Sequence, residues 1–254
     1  RNFFKNDKIK EENEYANVNN ENKNIQINII QGIIGCNLEN AILDKITRLI
    51  LEENLNFIQN EKDWIEHQQS FWKSKKPTKK LEYMVGDEKM DLIDKNSTIL
   101  LFDYLTSNKI INSSKDYILE LAAGNGRITE SVLCKLFNNI DVLEQSKNLA
   151  LNLKKIKLKN VNIKTIFINN VQSFYFERKY DVIFAGWLFG NLTDSDALSF
   201  LLKCKLNLAK NGVIIIKDNI NGKETVYSGK LNQKIRTLDA YEMIFKILKL
   251  RELY

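Results

Sequence analysis

From Tyr117 onward the chain alternates short apolar runs with helix-like stretches, and this alternation constrains the fold more than any other feature. The apolar runs are residues 117–121, 140–143, 161–168, 181–185 and 212–217. Between or after them lie helix-like segments at 127–136, 148–157, 195–208 and 238–250. Parallel neighbours need a long crossover, usually a helix. Strands in such βα units are covered on both faces, so they read as continuous apolar runs. The pattern predicts an α/β fold with a doubly wound, mostly parallel, Rossmann-like sheet.

The residues before Tyr117 read differently. Residues 1–24 are polar and read as disordered or weakly helical. Ile25, Ile27 and Ile29 alternate with polar residues, which suits a strand, or a helix broken at Gly32 and Gly35. Leu38, Ile42, Ile46, Leu49 and Ile50 have helical spacing. Residues 1–60 are therefore expected to be an N-terminal extension, partly disordered and partly helical, ahead of one α/β domain at 61–254. In that domain, Trp64, Phe71 and Trp72 sit among charges until Pro77 stops any helix. Residues 90–108 read as an amphipathic helix with Leu92, Ile99, Leu100, Phe102 and Leu105 as its apolar face.

Composition excludes several classes. The 254 residues carry a net charge of +6, yet the lysines are spread and no RNP-type or arginine-rich motif appears. The charge reads as a solvated surface, and nucleic acid is not indicated. Cys36, Cys134 and Cys204 are far apart, odd in number and lack a CxxC pair, so neither a disulfide framework nor a metal site is suggested. Reduced thiols fit an intracellular protein, cytoplasmic or nuclear. No apolar run reaches the ~20 residues of a spanning helix, and no membrane association is expected. The chain is expected to be a monomer.

The first strand ends in Glu120, and a turn with Ala122, Gly124 and Gly126 opens the next helix. Small residues let backbone approach a ligand closely, and the helix start presents N–H groups to an anion. That end suits a pyrophosphate or the carboxylate of an amino-acid moiety. A tight βα connection is the plainer reading. The second strand ends at Glu144, where a carboxylate can accept both ribose hydroxyls of an adenosine, or can simply be a solvated acid. Asn169-Asn170-Val171-Gln172 follows the third strand. Gln172 can cap an adenine edge there, or the segment can be a polar loop. Three such positions at three strand ends are more specific than any one.

Four stretches resemble one family. They are Leu119–Leu133 with its Gly126-Arg127-Ile128-Thr129, Trp187-Leu188-Phe189-Gly190-Asn191-Leu192-Thr193-Asp194, Asn211–Asn219, and Phe71-Trp72-Lys73 followed by Pro77-Thr78. Over about residues 70–239 the chain resembles the protein α-N-terminal methyltransferases. These use S-adenosylmethionine and act on proteins beginning Xaa-Pro-Lys or Xaa-Pro-Arg. The resemblance implies that Arg127 holds the methionine carboxylate and Glu144 the ribose. It implies that Val171 and Gln172 border the adenine, with Trp72 as a cover. Ala122, Gly124 and Gly186 fall on cofactor-facing positions; Ala122 stands where the family has Gly, and Gly186 where it has Gln. Trp187 and Asn219 are implied to line a peptide channel, and Asn219 and Asn191 to serve the transfer itself.

Other departures concern the acceptor. Asn191 replaces the family's histidine, and the only histidine, His67, is distant in sequence. Leu231 and Ser228 fall on two acidic positions, and Glu224 is the nearest acid. Asn191 can accept a hydrogen bond but is not a base at pH 7. The usual methyltransferase sheet has a hairpin after the helix read at 238–250, so a shortened chain or an exposed fifth strand is expected.

Overall fold

The computed structural model describes residues 61–75, 86–228, 233–251 and 253. The extension 1–60 lies outside the described residues, with the elements expected at 25–34 and 38–57, and so do Pro77 and Leu231. In chain order the elements are α1 (Glu61–Lys73), α2 (Glu88–Ser107), β1 (Tyr117–Leu121), a π-helical turn (Thr129–Leu133) running into α3 (Cys134–Leu136), β2 (Asn139–Leu143), α4 (Lys147–Lys159), β3 (Ile163–Phe167) and β4 (Tyr180–Gly186). A 3-10 turn (Phe189–Asn191), α5 (Asp194–Leu206), β5 (Leu208–Lys217), β6 (Val226–Ser228), β7 (Gln233–Ile235) and α6 (Leu238–Ile247) complete them. Two compact units emerge. One takes described residues 69–189 and 203–218, the other 61–68, 190–202 and 219–253.

The first unit holds the sheet. All five expected strands are present and parallel, in the order β3-β2-β1-β4-β5. The order reverses between β1 and β4, the place where open α/β sheets bind ligands at their carboxyl ends. One row of strand side chains, including Ile118, Val142 and Phe184, clusters with Phe102 and Leu105 of α2 and with Leu153 and Ile156 of α4. The alternate row, Leu119, Leu121, Leu143, Ile183 and Ala185, is buried too. Burial on both faces explains the continuous apolar runs. Helix starts are capped by side chains, Asp87 accepting from the Met90 N–H and Ser146 from that of Leu149.

Three expectations need correction. β5 begins at Leu208, not at residue 212, and α5 accordingly ends at Leu206. Asn211 lies inside β5 with a φ of +65°, and the pairing with β4 slips between Tyr180 and Val182. A bulge therefore absorbs the Asn-Gly pair that resembled a strand boundary. The helix expected at 127–136 forms, but a π-helical turn interrupts it. On α2, Leu92 and Leu100 are exposed, at 59% and 69%. The buried stripe is Asp91, Asp94, Thr98, Phe102 and Leu105. Two carboxylates occupy core-facing positions because cationic partners meet them there.

The second unit contains an antiparallel pair, β6 with β7, which the sequence reading did not anticipate. Tyr227 pairs with Lys234 and Ser228 with Gln233. The pair precedes α6, whose first turn is capped by the Thr237 hydroxyl. Among the described residues β5 ends the main sheet on its side.

Candidate active site

Strand register lines up the predicted positions. Leu121 of β1 pairs with Leu143 of β2 and with Ala185 of β4, and Gly186 pairs with Lys217 of β5. One residue further along, Glu144, Ala122, Gly186 and Lys217 stand side by side at the carboxyl edge of the sheet.

The glycine turn crosses this edge. Ala122, Gly124 and Gly126 all have positive φ, at +51°, +60° and +81°. A Cβ on Gly126 would meet Ile156 Cδ1 at 2.5 Å and Leu153 Cδ2 at 2.8 Å, so the helix start packs directly on α4. The turn is pinned by the Ala123 N–H on the Leu143 carbonyl at 3.0 Å and by the Gly124 N–H on Glu144 Oε2 at 2.7 Å.

Glu144 is buried, and its Oε1 accepts the Ser146 N–H at 2.7 Å. Burial pushes its carboxyl up to about 7, against the lowering by the Ser146, Gly124 and Gln145 N–H groups. With three N–H groups on its roughly four lone-pair sites, the carboxylate keeps an acceptor site for a ligand hydroxyl. Glu120 lies deeper, with the Thr129 hydroxyl donating to it. Burial pushes it up to about 8, opposed by Thr129 and Arg127 and reinforced by Glu144. The left-handed turn, the backbone held on Glu144 and the helix start form a cradle suited to an adenosyl amino-acid cofactor.

Arg127 opens the helix after the turn. Its Nη1 donates to Asp91 at 3.1 Å and its Nη2 to Asp94. Asp94 also receives the Trp187 indole N–H at 3.2 Å and the Lys217 ammonium at 2.5 Å. Burial pushes the Asp94 carboxyl up, but Lys217 and Arg127 outweigh it and hold it below its ordinary value. Trp187 follows β4 with a φ of +59°, a rare conformation for a bulky residue. Its N–H donates to the Lys217 carbonyl at 2.8 Å.

Three further predicted positions, Val171, Gln172 and Trp72, lie in the same unit. Val171 is buried, and the Gln172 carbonyl accepts from the Lys203 ammonium at 2.7 Å. Trp72 is half-buried and packs edge-on against Phe71, with ring centroids 5.1 Å apart. The Asn148 amide donates to the Lys73 carbonyl at 3.3 Å, which brings the end of α1 to the start of α4. A cavity of about 520 Å³ lies at the opposite end of the strands, beside Asp116, Asp181 and Asn211, away from all of these.

Asn191 and Asn219 belong to the second unit. The Asn191 carbonyl accepts the Trp64 indole N–H at 3.2 Å, and its side-chain oxygen accepts from Gln233 at 3.4 Å. Trp64 packs edge-on against Tyr227. Asn219 is exposed at the start of the segment leading to β6, and Asn221 bridges to Thr237. Asp194 is buried in the same unit, held by Lys234 and by Arg236 Nε at 2.9 Å. Burial opposes ionisation of Asp194, but the two cations outweigh it and hold the carboxyl well below the usual range.

Residues 60–253 match the family described as AdoMet dependent proline di-methyltransferase. The chain belongs to this family. It is thus a member of a family of methyltransferases that use S-adenosylmethionine. Alpha N-terminal protein methyltransferase 1 of Dictyostelium discoideum is 36% identical over 129 residues, 50% of this chain and 48% of that protein. The chain thus spans about half the length of that relative. N-terminal Xaa-Pro-Lys N-methyltransferase 1 of Bos taurus is 28% identical over 192 residues, 74% of this chain and 85% of that protein. Among solved structures, a SAM-dependent methyltransferase of Leishmania major superposes with a TM-score of 0.67 at 21% identity, covering 75% of each chain. That likeness shows a shared fold.

In this member of the family, the structure brings Ala122, Gly124, Arg127, Glu144, Gly186 and Trp187 to one edge of one unit. It adds three residues that the sequence reading did not single out: Asp91, Asp94 and Lys217. Their signal was present as two carboxylates three residues apart on a helix that otherwise reads as amphipathic. Among the described residues no group of three or more His, Cys, Asp or Glu side chains is arranged to hold a metal. No described helix is long and apolar enough to cross a membrane.

Proposed function

We propose that the chain transfers methyl groups from S-adenosylmethionine to the α-amino nitrogen of protein N-termini of the Xaa-Pro-Lys type. The observation that carries this reading is the meeting of Glu144, the left-handed turn and Arg127 at the β1/β4 reversal, beside Trp187. Glu144 accepts the ribose hydroxyls, Val171 and Gln172 border the adenine, and Trp72 covers the cofactor. Arg127 faces the methionine carboxylate. Ala122 and Gly124 let the backbone come close, and Gly186 leaves space at the end of β4.

When bound, S-adenosylmethionine supplies an electrophilic sulfonium methyl. The acceptor must present a neutral amine, and an α-amino group with a pKa of about 7.7–8.0 is partly protonated at neutral pH. By the family resemblance, Trp187, Asn219 and Asn191 are the residues that serve the acceptor. Asn191 accepts a hydrogen bond but removes no proton, so rate enhancement rests mainly on positioning. An intracellular site of action accords with Cys134 and Cys204, which are free and buried. Radiolabelled methyl transfer to a panel of Xaa-Pro-Lys peptides tests the reading. Absence of transfer by protein that binds S-adenosylmethionine in calorimetry sinks it.

A further inference from the structure

We propose that Asp94 is a positioning residue shared by the two halves of the site, aligning Arg127 on the cofactor side and Trp187 on the acceptor side. The acceptor part of this proposal rests on the N-terminal methyltransferase reading above. Asp94 lies on the buried stripe of α2, and its side chain is 4% exposed. Three elements converge on its carboxylate. Oδ2 receives Arg127 Nη2 from the helix after β1. Oδ1 receives the Trp187 indole N–H at 3.2 Å from the end of β4, and Lys217 Nζ at 2.5 Å from the end of β5.

The second cation is itself fixed from α2. Lys217 Nζ also lies within hydrogen-bond distance of the Asp94 carbonyl at 2.8 Å, Ser97 Oγ at 2.7 Å and Thr98 Oγ1 at 2.7 Å, which share its remaining N–H groups. Trp187 is held twice, by its indole on Asp94 and by its backbone N–H on the Lys217 carbonyl. A bulky residue keeps a φ of +59° only where its surroundings over-determine it, and these two bonds do so. Arg127 has five N–H donors in a rigid fork. Asp91 and Asp94 take one nitrogen each and aim the plane of the fork.

Asp91 provides the internal control. It lies one turn earlier on the same helix, is also buried, and contacts Arg127 and Lys95. No bond links it to Trp187 in the way that Oδ1 of Asp94 is linked. Asp91→Asn and Asp94→Asn therefore remove similar charges and differ in what they release.

The experiment compares both variants, as full chains, with the wild type. Calorimetry reads S-adenosylmethionine affinity. Steady-state kinetics reads acceptor KM and kcat. Fluorine NMR of 5-fluorotryptophan-labelled protein reads Trp187, with its resonance among the three tryptophans assigned by Trp187→Phe. Loss of a charge-assisted bond predicts S-adenosylmethionine binding about tenfold weaker in both variants. Only Asp94→Asn is expected to move the Trp187 resonance and to raise the acceptor KM as well.

If the two variants give the same Trp187 resonance, the proposal is wrong. If wild-type protein binds S-adenosylmethionine but methylates no N-terminal peptide, the functional reading fails, and the resonance and affinity still judge Asp94. Should Asp94→Asn fail to fold, Asp94→Glu keeps the charge and shifts the carboxylate by one methylene. A moved Trp187 resonance with weakened S-adenosylmethionine binding then supports the proposal, and an unchanged pair of readouts overturns it.

Discussion

Ala122 carries a Cβ at a backbone φ of +51°, in the turn that crosses the carboxyl edge of the sheet. The left-handed region costs a residue with a Cβ roughly 1–2 kcal/mol. Glycine there gains back freedom in the unfolded chain worth about 0.4–1 kcal/mol. Ala122→Gly is therefore expected to stabilise the protein by up to about 1 kcal/mol, measured as a higher urea midpoint with an unchanged slope. Glu120 makes a different case, since burial pushes its carboxyl up to about 8. A raised carboxyl favours folding fully below its unfolded value. That contribution is lost as pH rises from about 4.5 through about 8. Glu120→Gln mimics the protonated acid, so its melting temperature relative to wild type should climb between pH 5 and pH 8. A pH-independent difference would show that Glu120 ionises normally. Both positions were legible as residue types in the chain. The protonation of Glu120 was not, because it arises from burial in the folded core and from the Thr129 hydroxyl and Glu144 beside it.

The central strands β1, β2 and β4 were readable as apolar runs because they are buried on both faces, while the edge strands β3 and β5 are only partly buried. α2 was readable as a helix but not in its orientation. Its buried stripe includes Asp91 and Asp94, which a hydrophobicity pattern assigns to solvent. The β6–β7 pair was missed, since strands of three residues carry too little periodicity to register. This small element nevertheless has a demanding interior. Asp194, Lys234 and Arg236 are all essentially inaccessible, and the Asp194 carboxylate takes bonds from both cations. Replacing it leaves those cations buried with an amide. Asp194→Asn should destabilise the protein by about 3–5 kcal/mol in chemical denaturation. The pH sign follows from the lowered carboxyl. Its contribution is present above the unfolded value of 3.8 and is lost as pH falls below it. Wild-type stability should therefore decline below about pH 4, and the variant should lack that component of the decline.

For the molecule as a whole, cofactor binding and folding are linked. A ligand that binds only the folded state stabilises it by about 2.7 kcal/mol at a hundred times its Kd. Saturating S-adenosylmethionine should raise the melting temperature by several degrees, and the shift should grow with ligand concentration. Arg127→Ala should diminish it. An unchanged melting point at all concentrations would argue against the cofactor assignment. The order of elements from Tyr117 to Lys217, the sheet they form and the motifs at its strand ends could all be read from the chain. Local periodicity, turn chemistry and family resemblance are properties of neighbouring residues. The partners of Arg127 and Trp187 could not be read in that way. Asp94 lies 33 residues from Arg127, 93 from Trp187 and 123 from Lys217. Only the parallel register, which sets the ends of β1, β4 and β5 side by side beneath α2, brings those three side chains to one carboxylate.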